Sequence, residues 1–311
     1  MQPRAGLPEE ALAAIVSVHN GRAKKIGQSD LYVVEVPAAT EQAAVAKLQH
    51  NPHLKFAELD RYLEATSVPN DPYYGSQWHL PKIGAPTAWG IAQGAGVTVA
   101  ILDSGANLHP DLAGQLVPGW NFWDNNSDTT DLTGHGTKIL GVGAAVSNNG
   151  TGVAGLATQA KFMPVRITEP TVGGTYDSYL IQGIVYAADN GVRLANASFR
   201  NVMGSAAKIE AAQYMRNKGG LVTVTSGNDG ADMGYTATPS MIQVGATDRN
   251  DLRPIFSSYG NFVDVAAPGV DIWTTTKEGD YAAPQGTSLS APIVAGVLAL
   301  TCFRKPSSSR L

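Results

Sequence analysis

Short, predominantly apolar runs dominate the larger, second part of the chain. Val97 to Leu102, Ala160 to Val165, Val192 to Ala197, Leu221 to Thr225 and Met241 to Gly245 are of strand length, and stretches with helical periodicity lie between them. A strand with no polar face is covered on both sides, and strands alternating with helices build a parallel sheet between helical layers. The first part of the chain reads differently. Leu12, Ile15, Val16 and Val18 recur at near-helical spacing across Leu7 to Val18, behind Pro8-Glu9-Glu10, acids that suit a helix N-terminus. Leu31 to Val36 has a β-branched strand pattern, Thr40 is the expected cap of a helix through Leu48, and Leu54 to Leu59 alternates as a half-buried strand. That is a small α/β unit. The stretch Ala65 to Pro72 is polar, proline-bearing and aperiodic, as a cleavable linker is, so the expected domains are residues 1–66 and 67–311.

Composition narrows the function classes. A chain of 311 residues that is 43% hydrophobic can bury a large core beside a small companion domain. Only 15% of it is charged and 34 residues are glycine, which suits a compact, turn-rich fold. A net charge of -4 lacks the basic excess that nucleic acid or anionic lipid requires, so neither is an expected partner. One cysteine, Cys302, excludes an internal disulfide framework and leaves stability to packing and bound ions. No run approaches the roughly 18 apolar residues of a membrane span, and residues 1–15 lack the charged start and apolar core of a signal peptide.

Three segments carry reactive chemistry. The strand Val97 to Leu102 ends in Asp103-Ser104-Gly105, which sets a carboxylate at the carboxyl edge of a parallel sheet, where α/β sites form. Gly134-His135-Gly136-Thr137 opens a small, apolar run, with glycines that allow close approach around the imidazole. Gly286-Thr287-Ser288 leads into Ile293 to Leu300, so Ser288 stands at a helix N-terminus whose N–H groups favour a developing oxyanion. Read singly, each has a plainer meaning: a turn carboxylate, a packed histidine, a serine N-cap. Together they supply nucleophile, base and orienting carboxylate, in the chain order Asp, His, Ser known from subtilisin.

Ala100 to Gly105, Gly134 to Thr137 and Gly286 to Ser288 resemble the three signatures of the subtilase family. Asn70-Asp71-Pro72-Tyr73-Tyr74 and Val146 to Gly152 resemble its thermitase-like branch, and the likeness runs from about Asp71 to Leu300. The resemblance implies a subtilisin-like three-layer α/β fold around a central parallel sheet, preceded by a small α/β pro-domain, and a serine endopeptidase with Asp103, His135 and Ser288 as its catalytic triad. It makes Asn228, in Ser226-Gly227-Asn228-Asp229, the side-chain oxyanion donor, although Gly-Asn-Asp-Gly is also a strong turn signal. Asn196 to Phe199 resemble the edge strand to which the family pairs a substrate backbone, making Ser198, Phe199 and Arg200 substrate-binding residues. Arg200 and Asn201 replace the glycines usual there, and Lys138 replaces a second histidine.

By the same resemblance Asp71, Asp111, Asn149 and the carbonyls of Val146, Thr151 and Val153 form a structural calcium site, against the alternative of a plain polar turn. Asp124, Asn126, Asp128 and Asp131 read first as a solvated loop and second as a weaker ion site. Residues 7 to about 64 resemble the inhibitory pro-segment, released by cleavage between about Glu64 and Val68, with the opening strand expected to be missing. Cys302 to Pro306 do not resemble the family's helical tail, so the peptidase domain reads as C-terminally truncated. Protein or peptide substrates, the chain's own pro-segment, a monomer and an extracellular location complete the implied picture. A peptide-binding homologue without turnover is the alternative. An α/β-hydrolase esterase requires a Gly-x-Ser-x-Gly elbow and the order Ser, Asp, His, neither of which Ser288 offers.

Overall fold

A computed structural model of the chain describes residues 1–60 and 68–301. The chain divides into two compact units, Met1–Glu64 and Ala65–Leu311. The expected cleavage segment, apart from Val68, and the tail from Cys302 onward lie outside the described residues.

The small unit contains β1 (Gln2–Pro3), α1 (Glu9–Ser17), β2 (Arg22–Lys25), β3 (Tyr32–Glu35), α2 (Glu41–Leu48) and β4 (Leu54–Phe56). Leu12 of α1, Leu48 of α2, Leu54 and Ala57 form its core. The opening strand expected to be missing is present as a two-residue stump: β1 pairs antiparallel with β4, and Met1 exchanges backbone hydrogen bonds with Tyr32. Thr40 does not cap α2 through its side chain. Its hydroxyl donates backward to Pro37 O at 2.6 Å, so it is committed to the preceding turn.

The large unit opens with two short helices, α3 (His79–Lys82) and α4 (Ala85–Trp89), and continues through β5 (Thr98–Asp103), β6 (Trp120–Asn121), α5 (His135–Ala144), β7 (Lys161–Arg166), α6 (Asp177–Asp189), β8 (Leu194–Ala197), α7 (Ala206–Asn217), β9 (Leu221–Thr225), β10 (Met241–Thr247), β11 (Val265–Pro268), β12 (Thr274–Thr275), β13 (Tyr281–Ala282) and α8 (Thr287–Thr301). Seven strands form one parallel sheet in the order β11-β10-β9-β8-β5-β7-β6.

The residues of β5 explain why its sequence lacks a polar face. Val99 and Ile101 pack into the core that holds α5 and α8, while Ala100 and Leu102 pack into the core of α6 and α7. Period-two alternation therefore buries both faces, giving helix, sheet and helix layers. Glycine permits the tightest approaches. A side chain at Gly136 would set a Cβ 2.3 Å from Gly105 O, so α5 reaches the turn after β5 only without one.

Candidate active site

Asp103 ends β5 with its side chain fully buried, and Ser104 N donates to its Oδ1 at 2.8 Å. His135 is the first residue of α5, and its Nδ1 lies 2.8 Å from Asp103 Oδ1 and 3.0 Å from Oδ2. The imidazole thus carries its proton on Nδ1, and Nε2 is left to act as a base. The charge of Asp103 raises the pKa of His135 above the usual imidazole value, while burial pulls the other way. The His135 side chain stays 44% accessible, so a substrate can reach it.

Ser288, the second residue of α8, is half-buried. Its backbone carbonyl accepts from Ser198 Oγ at 3.1 Å, and Asn196 Nδ2 donates to that hydroxyl at 2.9 Å. Asn228 follows β9 and turns its amide toward the start of α8. Its Oδ1 accepts from Thr287 N at 2.9 Å and Thr287 Oγ1 at 2.8 Å, which fixes the orientation of the group. Its Nδ2 has no hydrogen-bond partner among the described residues, and Asn228 lines a cavity of about 200 Å³ together with Arg200, Thr225, Gly227, Asp229 and Ser288. A donor with a pinned carbonyl and a free N–H₂, beside a hydroxyl at a helix N-terminus, is chemically suited to an oxyanion.

The expected edge strand requires a correction. Asn196 and Ala197 belong to β8, which is flanked by β5 and β9, so their backbone is already paired on both sides. Only from Ser198 onward is the chain free of the ladder. Ser198 spends its hydroxyl on Ser288 O, and Phe199 packs against the α6 and α7 core. Arg200 pairs with Asp229 across the cavity that Ser288 lines.

Of the expected calcium ligands, Asp71 and Asp111 both accept from the amides of one loop. Asp71 and Asp111 are 4% and 0% exposed and converge on the loop that carries Val146, Asn149, Thr151 and Val153. Asn148 N and Asn149 N donate to Asp71, while Val153 N at 2.9 Å and Asn149 Nδ2 at 2.7 Å donate to Asp111. Burial raises the pKa of Asp111, the Asp71 charge adds to that, and the two hydrogen bonds oppose it. Two buried carboxylates held by amides form a hard-oxygen set that fits a cation such as calcium. Asn149 faces Asp111 through Nδ2 while its Oδ1 accepts from Thr151 N at 2.7 Å, so in this orientation the amide nitrogen, not the oxygen, meets the carboxylate.

The second candidate loop separates into turn residues and one buried anchor. Asn126 Oδ1 accepts from Asp128 N, and Asp128 Oδ1 accepts from Thr130 N and Oγ1, as in an ordinary solvated turn. Asp131 is 1% exposed and accepts five hydrogen bonds around His135, a role that sequence reasoning missed. The available signal was its place four residues ahead of His135, since carboxylates favour helix N-termini.

Known proteins resemble this chain in sequence and fold. The sequence pattern of the subtilase family matches residues 94–310. Thermitase from Thermoactinomyces vulgaris is 43% identical over 248 residues, covering 78% of this chain and 88% of the relative. Subtilisin Savinase from Lederbergia lenta is 38% identical over 237 residues, or 75% of this chain and 87% of the relative. The solved structure of a protease from Pseudoalteromonas arctica PAMC 21717 matches with a TM-score of 0.68 at 31% identity, over 75% of this chain and 86% of that one. By family, fold and relatives the chain belongs to the subtilase family and is a serine endopeptidase.

Proposed function

We infer that the chain hydrolyses peptide bonds with Ser288 as nucleophile, His135 as general base and acid, Asp103 as the orienting carboxylate, and Asn228 Nδ2 with the Ser288 N–H as oxyanion donors. His135 Nε2 takes the Ser288 proton as the hydroxyl attacks the scissile carbonyl, and later returns it to the leaving amine. Water then hydrolyses the acyl-enzyme. Asp103 holds the Nδ1–H tautomer and stabilises the imidazolium that forms. The observation that carries this reading is the Asn228 amide, pinned through Oδ1 by Thr287, in a residue that lines one cavity with Ser288. Arg200 and Asp229 line the same cavity as Ser288, and the pair they form is part of the wall against which a substrate would lie.

Asp71, Asp111, Asn149 and the carbonyls of Val146, Thr151 and Val153 would hold a structural calcium ion, which supplies positive charge between two buried carboxylates and takes no part in the reaction. Residues 1–66 act as an inhibitory pro-segment removed near Glu64 to Val68. The enzyme works as an extracellular monomer on protein or peptide substrates. No helix among the described residues is long and apolar enough to cross a membrane. The alternative of a catalytically silent peptide-binding homologue finds no support among the relatives.

Mass spectrometry of the full chain and of Ser288→Ala, with calcium and an unfolded protein substrate, tests the reading. The parent should lose its pro-segment and degrade the substrate while the variant stays whole and inert. A variant that still cleaves itself or the substrate removes Ser288 from the mechanism.

A further inference from the structure

Asp131 lies under the site with both oxygens committed. Oδ1 accepts from Ser104 Oγ at 2.7 Å, Gly134 N at 2.7 Å and Thr133 N at 3.2 Å, and Oδ2 accepts from Thr137 N at 2.8 Å and Thr137 Oγ1 at 2.7 Å. Its own N–H donates to Asn107 Oδ1 at 3.1 Å. The donors bracket His135 on both sides, and Ser104 belongs to the turn that holds Asp103. Ser104 Oγ also accepts from Gly136 N at 2.8 Å, and Ser104 N donates to Asp103 Oδ1 at 2.8 Å. One buried carboxylate therefore joins the Asp103 turn to the first turn of α5. An isolated buried charge is costly, so a carboxylate is retained here by its five donors and the positive end of α5.

We propose that Asp131 is a positioning residue of the peptidase: by binding residues 133, 134 and 137 to Ser104, it sets where the His135 imidazole stands between Asp103 and the nucleophile. The proposal rests on the reading of His135 as the general base. The neighbouring charges give it a signature beyond stability. Asp103 from β5 raises the His135 pKa most, Asp131 adds to it, and Lys138 on α5 opposes both. Lys277 lays its stem against Gly134 and donates Nζ to Leu132 O at 2.8 Å.

The test is Asp131→Asn in the full chain, assayed with a chromogenic peptide substrate across pH and normalised by titrating Ser288 with a fluorophosphonate. The amide keeps the size but presents N–H₂ to donors on one side. Turnover per titrated site should fall about 100-fold, the order expected for an ångström-scale misplacement, with KM little changed. The acid limb of kcat/KM should move to lower pH as a negative charge leaves His135. Unchanged turnover per titrated site with an unmoved acid limb, whatever the active fraction, overturns the proposal. Should Asp131→Asn not fold, Ser104→Ala decides: reduced kcat per titrated site at constant KM supports the bridge, and unchanged kcat overturns it. A folded parent that neither turns over nor takes up the fluorophosphonate sinks the general-base reading, and the inference with it. An active parent with an indifferent Asp131 sinks the inference alone.

Discussion

At Asn228 the residue scale is fully determined, because two bonds from Thr287 leave its amide one free function, donation from Nδ2. Asn228→Ala should therefore lower kcat about 100- to 1000-fold with KM nearly constant, a magnitude that itself comes from removing such a donor in subtilisin. A raised KM at unchanged kcat would instead make Asn228 a ground-state contact. Asp103, His135 and Ser288 were legible because each requires glycine or a small residue beside it, and those neighbours leave a pattern along the chain. Gly136 shows the reason, since any side chain there meets Gly105 O. The place of Asp131 ahead of α5 is visible in the sequence, but its bridge to Ser104 is not, because that donor is 27 positions away and meets it only after β5 and α5 pack.

At the scale of elements, legibility followed burial. Strands covered on both faces, such as β5 and β9, announce themselves as apolar runs, whereas β2 is Arg22-Ala23-Lys24-Lys25 and carries no such signal. The two-residue strand β6 is likewise too short for any periodicity to show. The short helix α3 conceals an energetic cost of its own. His79 is fully buried, neither ring nitrogen has a partner among the described residues, and burial lowers its pKa to about 3. The imidazole is neutral in the folded state but binds a proton once unfolded below about pH 6.5. Its contribution is thus fully present above that pH and is lost as pH falls toward the folded value, at about 1.4 kcal/mol per unit. In a Ser288→Ala background, the unfolding free energy from urea titrations at pH 7 and pH 5 should drop less in His79→Leu than in its parent, by about 2 kcal/mol. Equal drops would mean that His79 is solvated or protonated in the folded protein.

At the scale of the whole molecule, the Asp71 and Asp111 pair ties residues near the start of the large unit to the loop after α5, across 77 positions from Asp71 to Asn148. Without a cation the two carboxylates repel, and burial already disfavours the charge on Asp111. The proposed calcium ion would reverse both terms, and at a hundredfold excess over its Kd it would stabilise the fold by about 2.7 kcal/mol. For a unit of this size that corresponds to a Tm shift of about 5 to 10 °C. Thermal melts of Ser288→Ala, which cannot digest itself, should show that difference between millimolar calcium and a chelator. Adding Asp111→Asn should abolish the calcium response. It should also raise the chelated Tm above that of chelated Ser288→Ala, because the amide removes the repulsion and the buried charge together. A carboxylate needed only for its hydrogen bonds to Val153 N and Asn149 gives the opposite sign, with the variant melting lower in chelator. The direction of that one shift therefore separates an ion site from a polar turn, the two meanings between which the sequence of this loop does not choose.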